Sequence, residues 1–220
     1  MYFSRMYLNP RRRGTRNLVG NPQVAHAMVM SAFPPGDHSS GDGRILWRLD
    51  QGRESLALYV VSPTKPSFEH IQEQAGWSAS PTWDTRDYQA VLDTVAVGKR
   101  FSFRLAANPV RTVTDPDTGK KRRCAHVTPA QQTEWLVDRA DQIGVKFIED
   151  ETGMQVAVTK HENLRFKRGK GRVTIARTQF DGALEVVDPV KFADALINGV
   201  GKAKGYGCGM LTVAPWRNGS

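Results

Sequence analysis

The chain has 220 residues, 40% hydrophobic and 9% aromatic, which is typical of a globular protein with one large core or two small ones. Its 31 Lys and Arg residues against 22 Asp and Glu give a formal net charge of +9, which favours a polyanionic partner. The two cysteines, Cys124 and Cys208, exclude a cysteine-based zinc module. No continuous apolar stretch suggests a signal peptide or a membrane span, so we expect a cytoplasmic protein that contacts no membrane.

The first half of the sequence predicts a β-α-β-β-α series, which is most of a ferredoxin-like unit. A strand over residues 2–8 leads into a basic loop at 11–16. Asn21 and Pro22 then open a helix that runs to about Phe33, because asparagine is a favoured N-cap and proline a favoured first helical residue. Strands over 44–50 and 55–62 and a short helix over 68–75 complete the series.

The second half also predicts a ferredoxin-like unit, with an inserted basic hairpin. A strand over 99–107 and a basic run at 120–123 precede a helix over 128–144, followed by strands over 145–149, 154–160 and 172–180. Asp188 opens a last helix, and a glycine-rich loop leads to a strand over 210–214. We therefore predict an α+β fold of two tandem ferredoxin-like domains, residues 1–92 and 93–220, joined in the weakly patterned segment 76–97.

The glycine-rich segment 199–209, GVGKAKGYGCG, has five glycines in eleven residues, so its backbone must turn tightly or approach another group closely. A helix precedes it and a strand follows, which excludes a Walker loop, and Lys204 stands where a dinucleotide fingerprint needs glycine. A helix C-cap running into a turn is one interpretation. Exposed amides with Lys202 and Lys204 among them also suit a nucleic-acid backbone.

His26 lies away from the apolar stripe of its predicted helix, so we expect it outside the core. A lone exposed histidine is more often a surface residue than a catalytic one. Among His38, His70, His126 and His161, the last is the strongest rival because it lies in a second basic segment.

That segment, residues 160–172, has six cations in thirteen residues, with Gly169 and Gly171 between them. A solvated turn is the ordinary interpretation of such a run. The charge density, the glycines and Phe166 favour a hairpin that contacts RNA phosphates. The RNA-binding candidates are Arg11, Arg12, Arg13, Lys160, Arg165, Lys167, Arg168, Lys170, Arg172, Lys202 and Lys204. The acidic residues near 115–117 and 149–151 are typical of loops and form no recognisable metal-binding motif, so neither a metal nor a cofactor is expected.

Several motifs together resemble one family. The run GVGKAKGYGCGMLTVAP at 199–215 is similar to the C-terminal signature of the CasE family, the repeat-processing endoribonucleases of the type I-E CRISPR Cascade complex. FRLAANP at 103–109 resembles the family's FRLRANP, with Ala106 in place of arginine. EWL at 134–136, FDGAL at 180–184 and the β-α start with His26 match in the same order. The resemblance implies two ferredoxin-like domains.

The resemblance also implies that His26 is catalytic and that Gln23, one turn earlier, is its neighbour. Several family members have tyrosine at the position of Gln23, and some have lysine at that of Ser31. The implied reaction is attack of an RNA 2′-hydroxyl on the adjacent phosphorus, at the 3′ base of the stem in a CRISPR repeat stem-loop. The implied partners are precursor and mature crRNA and the other Cascade subunits. A module that binds an RNA hairpin without cutting it is the alternative, whereas the loop signature argues against a ribosome-associated protein.

Overall fold

A computed structural model describes residues 1–35, 43–52, 55–78, 82–169 and 171–216. In the first half, four antiparallel strands form one sheet in the order β2-β3-β1-β4, which is the strand order of a ferredoxin-like unit. The strands are β1 (Tyr2–Leu8), β2 (Leu46–Gln51), β3 (Leu56–Ser62) and β4 (Trp83–Asp87). The helices are α1 (Arg13–Gly20), α2 (Pro22–Met30), α3 (Glu69–Ala75) and α4 (Gln89–Leu92).

Two expectations for this half need correction. The basic loop at 11–16 is wrong beyond residue 12, because α1 begins at Arg13. Thr15 and Leu18 of this helix are buried, and Leu18 belongs to an apolar cluster of the first half. The Thr15 hydroxyl donates to the Ala75 carbonyl at 3.0 Å, which fixes α1 on α3. The predicted helix from Pro22 ends at Met30 rather than near Phe33, since a turn precedes the two prolines that follow. The weakly patterned segment 76–97 contains β4, whose pairing with β1 completes the sheet.

The second half forms another ferredoxin-like sheet, in the order β11-β12-β5-β13, with β8 also paired to β12. The two ferredoxin-like units predicted from the sequence are therefore confirmed, whereas the boundary between residues 92 and 93 stays a prediction. The strands of this half are β5 (Arg100–Ala107), β6 (Val110–Thr114), β7 (Lys121–Ala125), β8 (Val145–Phe147), β9 (Glu149–Asp150), β10 (Gly153–Met154), β11 (Val156–Arg168), β12 (Gly171–Val186) and β13 (Leu211–Pro215). The helices are α5 (Pro129–Val137), α6 (Ala140–Ile143) and α7 (Pro189–Asn198).

The hairpin of β11 and β12 is longer than the sequence patterns predict, because both strands continue through the basic segment to the turn near Gly169. The helix predicted over 128–144 is divided into α5 and α6 at residues 138–139, and Gly144 ends α6 in a left-handed conformation. Thr128 and Asp188 cap α5 and α7 through side-chain oxygens, as their sequences predict.

The two halves meet in one apolar cluster and through one buried arginine side chain. Leu46 and Val61 of the first sheet pack in the same apolar cluster as Leu105 of the second. Arg48 is 3% exposed, and its Nε lies 2.6 Å from Asp50 Oδ1. Its Nη1 donates to the carbonyls of Arg104 (3.1 Å) and Met210 (3.2 Å), so one guanidinium joins β2 to the second half.

Candidate active site and nucleic-acid interface

Helix α2 presents Gln23 and His26 on one side. The Asn21 side chain caps the helix by accepting a hydrogen bond from the backbone N–H of Gln23 at 2.9 Å, and Pro22 occupies the first turn. Ala25 and Val29 bury an adjoining stripe of the helix, at 1% and 0% exposure. His26 is half-buried, so the expected position outside the core stripe is confirmed, but its ring is more enclosed than an exposed surface histidine.

The enclosure comes from the glycine-rich loop of the second half. The Tyr206 hydroxyl donates to Gln23 Oε1 at 3.2 Å, and the Tyr206 ring centroid lies 6.0 Å from that of His26. A Cβ placed on Gly205 would lie 3.6 Å from the imidazole, which is an ordinary van der Waals contact. A Cβ on Gly207 would come within 2.8 Å of the Trp47 ring. Glycine at 207 therefore lets the loop pack closely on the first half, next to α2.

The loop keeps a fixed, compact path. Gly199, Gly201, Gly207 and Gly209 have positive φ angles, which L-residues with side chains adopt reluctantly. Its Cys208 is fully buried, and burial raises the pKa of that thiol to about 12, so it has no nucleophilic character at neutral pH. The loop therefore does more than end α7, because it also brings Tyr206 to Gln23.

The β11–β12 hairpin has two chemically different faces near its tip. Leu164, Phe166, Val173 and Ile175 form an apolar face that packs on Ala203, Tyr206 and Cys208 of the loop. Phe166 is 7% exposed and its ring lies 4.8 Å from that of Tyr206, so this ring belongs to the apolar face and packs against the loop. The neighbouring positions Arg165 and Lys167 are exposed, and Lys167 pairs with the exposed Arg172 across the hairpin. We call Arg165, Lys167 and Arg172 the cationic face.

The other cations predicted in this hairpin are Arg168, Lys170 and Lys160. Arg168 is exposed at the hairpin tip, and Lys170 lies outside the described residues. Lys160 forms an ion pair with Glu162 at 2.8 Å, and Glu162 also binds Arg177 at 2.6 Å, so the charge of Lys160 is partly neutralised. Its place at an RNA interface stays a prediction.

In the loop, Lys202 is exposed, whereas the half-buried Lys204 donates to the Asn198 carbonyl at 2.7 Å. Burial, together with the charge of Arg44, lowers the pKa of Lys204 from its ordinary value. The hydrogen bond from Lys204 therefore holds the loop on α7.

The N-terminal arginines lie before and at the start of α1. Arg12 donates to the Glu73 carbonyl at 2.6 Å and to the Ser78 hydroxyl at 3.0 Å, which ties the turn to α3. Both partners are neutral, so the guanidinium keeps its full charge. Arg11 and Arg13 are exposed.

The other histidines named as candidates lie elsewhere in the fold or make different contacts. His161 Nδ1 lies 3.2 Å from Gln132 Nε2 and 3.0 Å from Thr178 Oγ1, so its ring is held between α5 and β12. His70 Nε2 lies 2.8 Å from Ser31 Oγ and fastens α3 to the end of α2. His126 lines a groove, described next, and His38 lies outside the described residues.

Two adjoining cavities lie beside this arrangement. The larger, about 670 Å³, lies between the β6–β7 hairpin, α5 and the start of the glycine-rich loop, and it is lined by Arg111, Arg123, His126, Arg139 and Lys202, among others. The smaller, about 370 Å³, shares Arg123 and Lys202 with the first and extends to Tyr206. Tyr206 lines the smaller cavity and also contacts Gln23 of α2. Of the cations around these cavities, the sequence indicated Arg123, in the basic run at 120–123.

Sequence reasoning missed Tyr206. It lies within the quoted glycine-rich segment, and an aromatic residue between two glycines was a signal that this position makes a specific contact. In the part of the chain that the structure describes, no group of three or more His, Cys, Asp or Glu side chains could hold a metal ion. No helix within those same ranges is long and apolar enough to cross a membrane.

The sequence and the fold are similar to those of known proteins. A family model described as "CRISPR associated protein" matches residues 1–215, so the chain belongs to that family. It is 31% identical over 223 residues to the CRISPR-associated endoribonuclease Cse3 of Thermus thermophilus, which covers 98% of this chain and 100% of the relative. It is 30% identical over 127 residues to the Cascade subunit CasE of Escherichia coli K12, over 54% of this chain and 60% of CasE.

Solved structures show the same similarity. Cse3 bound to a 19-nucleotide RNA has a TM-score of 0.82 and 30% identity, covering 98% of this chain and 100% of that one. Cas6e from Escherichia coli K-12, 22% identical, has a TM-score of 0.61 over 98% of this chain and 100% of that chain, and it supports the fold alone. The resemblance to the CasE family is thus confirmed.

Proposed function

We propose that this protein is a metal-independent endoribonuclease that binds the stem-loop of a CRISPR repeat and cuts the precursor transcript at the 3′ base of the stem. The product is retained as the crRNA of a Cascade complex, in which this chain is a subunit. The observation that carries the proposal is the meeting of α2 with the glycine-rich loop. It places His26, Gln23 and Tyr206 together, next to the apolar face of a hairpin whose other face is cationic.

In the proposed reaction, the nucleophile belongs to the RNA. The 2′-oxygen forms a bond to the adjacent phosphorus as its proton leaves, and the bond from phosphorus to the 5′-oxygen breaks as that oxygen gains a proton. The products are a 2′,3′-cyclic phosphate and a 5′-hydroxyl. The protein contributes alignment, proton transfer and positive charge for the developing anion.

We assign His26 to proton transfer through Nε2, because Nδ1 on the other side of its ring is buried. Gln23 does not titrate, but it can bind the phosphate. Because Tyr206 donates to its Oε1, the Gln23 amide nitrogen is left to donate to a non-bridging phosphate oxygen. Tyr206 is then a positioning residue that acts through Gln23.

The cationic face and the exposed Arg11, Arg13 and Arg168 are the proposed phosphate contacts of the stem. A narrow, basic hairpin suits A-form RNA, whose deep major groove favours phosphate contacts over base reading. Retention of the product follows from the same contacts, since few of them depend on the scissile bond.

The deciding experiment is cleavage of a repeat stem-loop RNA in excess EDTA. We expect cutting to persist, and to stop when the nucleotide 5′ of the scissile phosphate carries a 2′-deoxy sugar. Loss of cleavage in EDTA, restored by Mg²⁺ or Mn²⁺, would contradict the mechanism. Tight binding of the stem-loop with no cleavage in either buffer would instead support the alternative, a non-cleaving RNA-hairpin-binding module.

A further inference from the structure

The larger cavity takes no part in the proposed cleavage mechanism. Its volume of about 670 Å³ is that of a site for a small ligand or for about one or two nucleotides of a single strand. It shares Val110, Arg123 and Lys202 with the smaller cavity, which is also lined by Tyr206. The Tyr206 hydroxyl binds Gln23 of the proposed reaction centre. The larger cavity thus adjoins a cavity whose wall includes a residue of that centre.

The cations of the larger cavity outnumber its carboxylates. Its two carboxylates are those of Asp138 and Asp194, and its five cations are Arg111, Arg123, Arg139, Lys202 and Lys204. In the part of the chain that the structure describes, none of the five forms an ion pair. A concave site lined mainly by one sign of charge attracts the opposite charge, so the expected ligand is an anion.

The charged groups that would meet this anion are accessible or already fixed. Arg111, Arg123 and Lys202 are exposed. Arg139 is half-buried, its Nη1 donates to the Trp135 carbonyl at 2.6 Å, and its Cζ lies 4.0 Å from the centre of the Trp135 ring. A guanidinium fixed in this way loses little side-chain freedom when it binds a phosphate. The cavity therefore combines one fixed cation with three exposed ones, which suits a chain of phosphates.

The RNA proposed above has one segment that must leave the reaction centre as a single strand. The nucleotides 3′ of the scissile phosphate are unpaired, because the cut lies at the base of the stem, and they are covalently attached to the reacting group. They therefore depart from His26 and Gln23, beside which Tyr206 lines the first of the two cavities. The unpaired strand on the 5′ side of the stem begins instead across the width of the duplex. The downstream strand is thus the polyanion best placed to enter the larger cavity.

We infer that the larger cavity binds phosphates of the unpaired RNA strand that follows the scissile phosphate, through Arg123, Lys202 and the fixed Arg139. The inference rests on the proposed function for the identity of the RNA and the position of the cut. Cleavage separates this strand from the stem-loop, so the cavity adds affinity for the precursor that the retained product lacks. Phosphate contacts carry no base information, so the added affinity is independent of the downstream sequence.

The test compares two stem-loop RNAs that both carry a 2′-deoxy sugar at the cleavage site and are therefore not cut. In the extended RNA the strand continues several nucleotides past that site, and in the short RNA it ends there in a phosphate. We expect the wild type to bind the extended RNA about 10-fold or more tightly, since one hydrogen bond to a charged group accounts for that factor. Its log affinity should also fall more steeply with log salt concentration, by up to about 0.7 per added phosphate contact.

The variant that combines Arg123→Gln with Lys202→Gln should lose most of this gain and bind the short RNA as the wild type does. Unchanged binding of the short RNA also shows that the variant folds. Neutralising the cationic face is the matched comparison, because those three residues are proposed to contact the stem. It should weaken binding of both RNAs by the same factor.

Equal affinity of the wild type for the two RNAs would overturn the inference. A double variant that binds both RNAs more weakly by one factor would also overturn it, because the two cations would then contact the stem. The same holds if an extension on the 5′ side of the stem gives the gain that the double variant loses. If the downstream gain is present and needs the two cations, but the all-ribose RNA is not cut, the strand site stands and the proposed nuclease activity fails.

Discussion

Tyr206→Phe isolates the hydroxyl that reaches Gln23. The variant keeps the ring that packs 4.8 Å from Phe166 and removes the 3.2 Å hydrogen bond to Gln23 Oε1. A neutral hydrogen bond contributes about 0.5–1.5 kcal/mol, so the cleavage step should slow about 2- to 13-fold. His26→Ala removes proton transfer and should slow the step by on the order of 10²–10⁴.

The rates need single-turnover conditions with saturating enzyme, because a retained product would hide a chemical effect under multiple turnover. A double-variant cycle then tests the route of the effect. If Tyr206 acts through Gln23, adding Tyr206→Phe to Gln23→Ala should cause little further loss.

Sulfur at one non-bridging oxygen of the scissile phosphate gives a second measurement that a general loss of stability would not change. The wild type should discriminate between the two phosphorothioate isomers more strongly than Tyr206→Phe. A Tyr206→Phe loss as large as that of His26→Ala, or additive losses in the double variant, would refute the positioning role.

Three further predictions follow from the same geometry. His26→Ala should abolish cleavage with stem-loop affinity nearly unchanged, whereas His161→Ala should cut normally; the opposite pattern in a cleavage assay would show that the wrong histidine was chosen. Replacing Arg165, Lys167 and Arg172, the cationic face, with neutral residues should make log affinity fall less steeply with log salt concentration. The slope should change by up to about 0.9 per lost phosphate contact, which is the duplex DNA value used as a guide. The slope should hold in a control that replaces three exposed cations elsewhere, Lys65, Arg86 and Lys99. Arg48→Met should lower the free energy of unfolding by about 1–3 kcal/mol in a urea titration, because the Arg104 and Met210 carbonyls lose their buried donor, whereas Asp50 keeps Arg104 Nη1 at 3.2 Å; a change under about 0.5 kcal/mol would mean that the Arg48 side chain adds little.

The local features of the fold could be predicted from the sequence because their causes are local. Asn21, Thr128 and Asp188 each precede a proline, and each caps a helix through a backbone amide two or three residues on. The alternation in β1, the apolar run of β3 and the glycines of the loop likewise record constraints within a few residues. The resemblance of the motifs and their order to the CasE family identified His26 as the catalytic candidate. No local pattern describes the surroundings of His26.

Only the tertiary structure decided which residues meet at the site. Gln23 and Tyr206 are 183 positions apart in sequence, and their hydrogen bond depends on how the loop packs against α2. The same packing buries Phe166, which the sequence shows only as an aromatic residue among basic ones. The pairing of Lys160 with Glu162 reduces a charge that composition counts in full. These outcomes follow from the contact between two separately patterned halves, and patterns within a few residues of one position do not contain that contact.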